Sequence, residues 1–164
     1  MANDNWQTPP EVMNYLAAKE RFTPTIDACA SADNSLCERF YSEEDSFLDV
    51  DVTTITGEQI WCNPPYSKPL PFVTKCIELA ENGNEVFMLL NMDASTKWFE
   101  IAEQSNRAIL LPLIGGRVAF IVDGIQRNGN DRAQVFFKFN SVPNRRNIAE
   151  WESIYLEDIN LFKE

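Results

Sequence analysis

Apolar residues recur at Val12, Met13, Leu16 and Ala17, the stripe of a helix with its period of 3.6. Thr8, Pro9, Pro10 and Glu11 supply its start: a capping hydroxyl, two prolines where the first turn has no donor to lose, and a capping-box carboxylate. Short apolar stretches at residues 25–28 and 39–41 each lead into a loop of Asp, Ser and Asn and read as strands. Residues 59–62 form a clearer strand, stopped by Asn63, Pro64, Pro65 and Tyr66 because adjacent prolines cannot donate to a ladder. Phe72, Val73, Cys76, Ile77, Leu79 and Ala80 return to helical spacing, closed by Asn82 and Gly83. Residues 86–90 are a continuous apolar run, the pattern of a strand covered on both faces.

A helix over 96–104 and strands over 108–111, 118–122 and 135–139 complete the series. Alternating strand and helix predicts an α/β fold with a mostly parallel central sheet and helices on both faces. The last two strands have no helical pattern between them, so they predict an antiparallel hairpin at the far end of that sheet. In the tail, Ile148, Trp151, Ile154 and Tyr155 stand at mostly helical spacing and predict a segment that packs back on the body. At 164 residues, without repeat or linker, the chain is read as one catalytic-size domain spanning residues 1–164.

Composition narrows the chemistry. No apolar run approaches the ~18 residues needed to cross a bilayer, and residues 1–5 lack the basic start of a secretion signal, which points to the cytoplasm. Cys29, Cys37, Cys62 and Cys76 form no CxxC pair, and there is no histidine to complete a zinc site, so they read as free thiols and no metal is expected. The absence of histidine also removes Ser-His-Asp and Cys-His catalysis and every mechanism that relies on an imidazole.

A net charge of −11 speaks at first against nucleic acid. The charge is uneven, however: residues 107–146 hold seven basic side chains against two acidic ones, Asp123 and Asp131. That segment is either a solvated face or a surface turned to a polyanion, and the count alone separates neither.

Ligands of open α/β sheets bind beyond the carboxyl ends of the strands, and there Asn63-Pro64-Pro65-Tyr66 has a specific logic. The residue before a proline is driven extended, which aims the Asn63 side chain past the strand end. Pro64 offers a carbonyl on a turn stiffened by Pro65. Two acceptors can grip both hydrogens of one amino group, draw its nitrogen out of conjugation and direct the lone pair at an electrophile. Tyr66 adds a face on which a base taken out of the duplex can stack. The attacked nitrogen becomes acidic as it gains a methyl group, so no strong base is required.

The chain resembles the phage-type N-6-adenine DNA methyltransferases of the Dam group, through Trp6-Gln7-Thr8-Pro9, Ile26-Asp27-Ala28-Cys29-Ala30-Ser31, Phe40-Tyr41 with Asp45 downstream, Trp61-Cys62-Asn63-Pro64-Pro65-Tyr66 and Gly116-Arg117-Val118-Ala119-Phe120. The likeness covers about residues 5–140 and implies a Rossmann-like methyltransferase fold with an S-adenosylmethionine site and DNA as partner. It implies that Trp6, Thr8 and Pro9 border the methionine end of the donor, that Asp27, Ala28, Cys29 and Ala30 form the loop beneath it, with Asn63 alongside, and that Asp45 lies near the adenosine. It places Arg117, Phe120, Arg127, Arg132 and Lys138 on the DNA side and, through a viral origin, the protein in host cytoplasm. One departure is that the first strand-end loop carries small residues where methyltransferases usually have glycines.

Two other functions remain compatible with the sequence. NPPY loops also occur in methyltransferases acting on protein glutamine or RNA guanine, which an acidic body suits. A catalytically silent binding or decoy protein is the third reading, and it has no need of a donor pocket.

Overall fold

The structure, a computed structural model, describes residues 7–127 and 131–163. Among them seven strands form one mixed sheet in the order β1 (Ile26–Asp27), β2 (Gln59–Cys62), β3 (Glu85–Asn91), β7 (Gln134–Phe139), β4 (Ala108–Ile114) and β8 (Glu150–Trp151), with β9 (Ile154–Tyr155) also against β4. β1, β2 and β3 run parallel, and β4 points the same way with β8 and β9 alongside it; β7 alone is antiparallel to its neighbours. The fold is therefore α/β with mostly parallel strands.

Helices cover both faces because the strands are apolar on both. Ile60, Val86, Met88 and Phe137 pack against Val73 and Cys76 of α2 (Leu70–Glu81) and Phe99 of α3 (Lys97–Glu103). Trp61, Phe87, Leu89 and Phe136 alternate to the opposite face. There they meet Val12 and Leu16 of α1 (Pro10–Glu20) and Ile159 of α4 (Leu156–Asn160).

The connection that brings β2 and β3 side by side rests on Asn84. Its amide donates to the Ile55 and Leu79 carbonyls, each at 2.8 Å, and accepts from the Glu58 N–H at 3.0 Å, all without solvent. Asn84→Ala removes three hydrogen bonds and leaves the Glu58 N–H without its acceptor, while the Ile55 and Leu79 carbonyls keep bonds from the Asn82 side chain and from the Asn82 and Asn84 N–H groups; a loss of about 2 kcal/mol is expected in urea unfolding.

Five sequence expectations are corrected. Residues 135–139 are not the edge of the sheet; β7 is slotted between β3 and β4, with register Val86↔Phe139 on one side and Ala108↔Phe139 on the other. A strand apolar on both faces is best covered in the centre, where both edges of its backbone also find partners. Residues 118–122 supply only β5 (Ile121–Val122), paired with β6 (Ile125–Gln126) outside the main sheet. Val118 and Phe120 are buried on the α1 face without belonging to a ladder, so their alternation mimicked a strand. Residues 39–41 contribute a single bridge, Phe40 to Asp27, and the tail's apparent helical spacing belongs to β8, β9 and the short α4. The tail does pack on the body, with Ile154 and Ile159 buried while Ile148, Trp151 and Tyr155 stay exposed. Within α1, Ala17 faces solvent and Glu11 is buried in its place.

Candidate active site

The carboxyl ends of β1 and β2 open into a recess on the α1 face, lined by Thr8, Asp27, Cys29, Leu36, Trp61 and Asn63 among others. Alternation explains the grouping. Ile26 and Ile60 turn to the α2 face, so Asp27, Trp61 and, two residues on, Asn63 turn to the α1 face.

Asp27 is buried in this recess, its carboxylate accepting from the Cys29 N–H at 3.3 Å and the Leu36 N–H at 3.1 Å. These bonds fold the loop after β1 around the carboxylate, while the Asn34 side chain closes the same loop by accepting from the Ser31 N–H at 2.8 Å. No cationic side chain forms an ion pair with Asp27 among the described residues. Burial pushes its pKa up to about 6, and the two N–H donors oppose the shift only in part. A buried carboxylate without a counter-charge suits a cationic ligand.

Thr8 does not cap α1. Pro9 holds the cap position without a side-chain bond, and the Thr8 hydroxyl accepts from the Asn63 amide at 3.4 Å. That contact uses the Asn63 amide nitrogen and not its carbonyl oxygen. Thr8 is fixed in turn by its neighbours: Gln7 exchanges two backbone bonds of 2.9 Å with Ile121, and Gln126 on the same small hairpin donates to Glu11 at 2.6 Å. Gln7 belongs to the first block of the resemblance and Glu11 to the expected capping box, but the part that they and Gln126 play in the site follows from contacts across more than a hundred residues.

After β2 the chain runs through buried Pro64 to Tyr66, whose ring meets Phe120 edge-on at 6.4 Å between centroids. The Tyr66 hydroxyl is buried, and burial raises its pKa against a weaker opposing influence of the Gln134 amide, so it stays neutral. Cys62 is buried before Asn63, and burial together with the neighbouring Cys29 and Cys76 thiols keeps it protonated; the Cys29 and Cys62 sulfurs are 3.9 Å apart.

The other expected residues are more scattered. Pro9 is buried at the start of α1. The Ala28 side chain joins the core on the α2 side, and Ala30 anchors its loop through an N–H bond of 2.9 Å to the Tyr41 carbonyl. Asp45 is exposed in a turn with Ser42, away from the residues that line the recess. Trp6 lies outside the described residues.

The basic segment divides between two ends of the sheet. Arg117, after β4, and Arg132, before β7, are exposed at the carboxyl edge of the sheet, Arg117 lining a separate groove beside α4, and Arg127 is exposed beyond the small hairpin. Arg132 stands near Asp93, whose pKa is lowered chiefly by the Ser95 hydroxyl and N–H and slightly by this arginine. Lys138, expected on the DNA side, pairs with Glu20 at 3.0 Å, lies over the Phe87 ring and is mostly covered. Phe120 is likewise core rather than surface, buried behind Tyr66. Arg107 is spent on the Ala80 and Ser141 carbonyls.

With this geometry in place, the comparison with known proteins is decisive. A family described as DNA N-6-adenine-methyltransferase (Dam) matches residues 1–156. The chain belongs to this family. It is 38% identical over 149 residues to the DNA N-6-adenine-methyltransferase of Escherichia phage T1, an alignment covering 82% of this chain and 61% of that protein. It is 34% identical over 139 residues to the protein of the same name from Haemophilus phage HP1, covering 83% of this chain and 78% of that one. The chain thus spans less than two thirds of the T1 relative's length. Among the described residues no helix is long and apolar enough to cross a membrane, and no cluster of three or more metal-ligating side chains is found.

Proposed function

We propose that this protein methylates the exocyclic N6 of adenine in DNA, with S-adenosylmethionine as donor on a Rossmann-like scaffold. The observation that carries the reading is the juxtaposition, in one recess, of a buried carboxylate without a counter-charge, Asp27, and the Asn63 amide held by Thr8. The donor set fits the cofactor: Asp27 complements its cationic amino-acid end, and Thr8 and Cys29 border the same space. When bound, the cofactor supplies an electrophilic methyl group.

The residues of the chain do the rest. The Asn63 carbonyl oxygen and the Pro64 carbonyl accept the two amino hydrogens and leave the nitrogen lone pair directed at the methyl carbon. Held by Asp27, Thr8 and Cys29, the donor would supply its methyl group to that nitrogen, whose surplus proton would leave to water. Tyr66 supplies the stacking face, with Phe120 supporting it from behind. Cys62 and Tyr66 beside the loop stay protonated, so neither offers a thiolate or phenolate that would compete with the amino nitrogen for the methyl group.

Arg117, Arg127 and Arg132 lie where phosphate contact is useful, and with so few exposed cations near the site we infer a short recognition sequence. Transfer of labelled methyl from the donor to DNA, followed by nucleoside analysis, tests the reading: label in N6-methyladenine supports it, and no label in DNA contradicts it. Replacing Arg117 and Arg127 by Ala together is expected to flatten the plot of log affinity against log salt by about 2, near one unit per phosphate contact. An unchanged slope returns both arginines to a solvated surface.

A further inference from the structure

Three buried side-chain atoms lack a hydrogen-bond partner among the described residues: the Tyr66 hydroxyl, the Asn91 carbonyl oxygen and the Gln134 amide nitrogen. Each such group costs roughly 1–3 kcal/mol, so three in one place call for a reason. They are in one place. Asn91 ends β3 and Gln134 begins β7, and the two are cross-strand partners in the last pair of that ladder. Alternation from Leu89 and Phe136 turns both to the α1 face, the face of Asn63 and Tyr66. The Gln134 amide faces the Tyr66 hydroxyl without closing a hydrogen bond.

The orientation of Gln134 is fixed by its other end. Its carbonyl oxygen accepts from the Val118 N–H at 2.7 Å, and only an oxygen can do so, which forces the NH2 group toward Tyr66. A purely structural role needs that oxygen alone. Gln134 is fully buried, and its NH2 group is an unused, oriented donor. By the register of β2 on β3, Asn63 extends level with Leu89, so Asn91 and Gln134 lie two residues, about 7 Å, farther out on the adjoining strands.

Resting on the adenine reading above, we propose that Gln134 is a specificity-determining residue that donates a hydrogen bond to N1, the ring nitrogen next to the amino-bearing carbon of the target base. Asn63 and Pro64 supply acceptors only, which answer the amino group and leave the neighbouring ring acceptor unmet. Gln134 supplies the missing donor. Guanine carries an N–H at that position and would set donor against donor. In the free protein the Tyr66 hydroxyl stands against Gln134 without a hydrogen bond, so none breaks when the ring moves onto the face of the base.

The test compares DNA substrates carrying adenine, 1-deazaadenine or 7-deazaadenine at the target position, with wild-type protein and Gln134→Met. Wild type is expected to lose about 30-fold in kcat/KM on 1-deazaadenine, the scale of one oriented hydrogen bond in a closed site, and less than about threefold on 7-deazaadenine. Gln134→Met should lose a similar factor on adenine with no further loss on 1-deazaadenine, because side chain and ring nitrogen act as one pair. Equal rates of wild type on adenine and 1-deazaadenine overturn the proposal whether or not the variant folds. So does an equal 1-deaza penalty in both proteins. Failure of wild type to methylate any adenine DNA would instead overturn the reading on which the proposal rests.

Discussion

Asn63→Ala is expected to lower kcat by roughly a hundred- to a thousandfold while changing the dissociation constant for S-adenosylmethionine less than about threefold. The side chain lines the recess at its outer end, where it meets Thr8. Its carbonyl interaction strengthens as the amino nitrogen turns toward a cation during attack, so removing it withdraws transition-state binding far more than ground-state binding. Losing one such oriented acceptor costs about 3–4 kcal/mol of activation free energy, with a factor of ten for each 1.4 kcal/mol. Single-turnover rates beside calorimetric titration of the donor separate the two effects. A variant that transfers methyl at the wild-type rate would remove Asn63 from the mechanism.

Asp27 makes the opposite signature. Asp27→Asn is expected to weaken donor binding by about 30-fold or more, since it deletes the buried negative charge that answers a cationic ligand. The wild-type protein carries a matching pH dependence. The folded-state pKa of about 6 stands above the ordinary 3.8, so the free protein prefers the protonated carboxyl. The stability contributed by this group is fully present below the ordinary value and is lost as pH rises through 6, to the extent of about 3 kcal/mol. Donor affinity runs the other way: the cation requires the carboxylate, so affinity should fall nearly tenfold per unit as pH drops below about 6 and level off above it. The chain has no histidine to titrate in that window. Titrations from pH 5 to pH 8 in buffers of different ionisation heat measure both the affinity and the proton released. A flat profile, or a variant that loses thermal stability while keeping its affinity, would make Asp27 only the clasp of its loop.

What the sequence revealed and what it hid divide along the range of the interactions. Asn63-Pro64-Pro65-Tyr66 carries its meaning in four consecutive residues, because strand end, proline constraint and acceptor chemistry are local. The same is true of β2, α2, β3 and α3, whose periodicities match the elements found within a residue or two. The hairpin expected at the sheet edge failed because sequential neighbours were assumed to pair. Burial of both faces of residues 134–139 drew β7 into the centre, and no local pattern states which two strands it will separate.

The consequence reaches the site. Gln134 and Asn91 are ordinary polar residues at the ends of apolar runs until the placement of β7 sets them side by side. Thr8 looked like a helix cap, and its hydroxyl is turned to Asn63 because the small hairpin pulls the start of α1 across the strand ends. The excess of positive charge in residues 107–146 was visible as a count, but its division was not. Lys138 and Arg107 serve the fold, and Arg117, Arg127 and Arg132 remain at the surface around the strand ends.

The central claim is tested most directly by offering the purified protein methyl-tritiated S-adenosylmethionine with DNA, RNA and protein extract in parallel, then digesting each product and separating its components. The account predicts label in DNA alone, recovered as N6-methyladenine and absent with Asn63→Ala. Label recovered in RNA guanine or protein glutamine, or no transfer to any of the three, would contradict it.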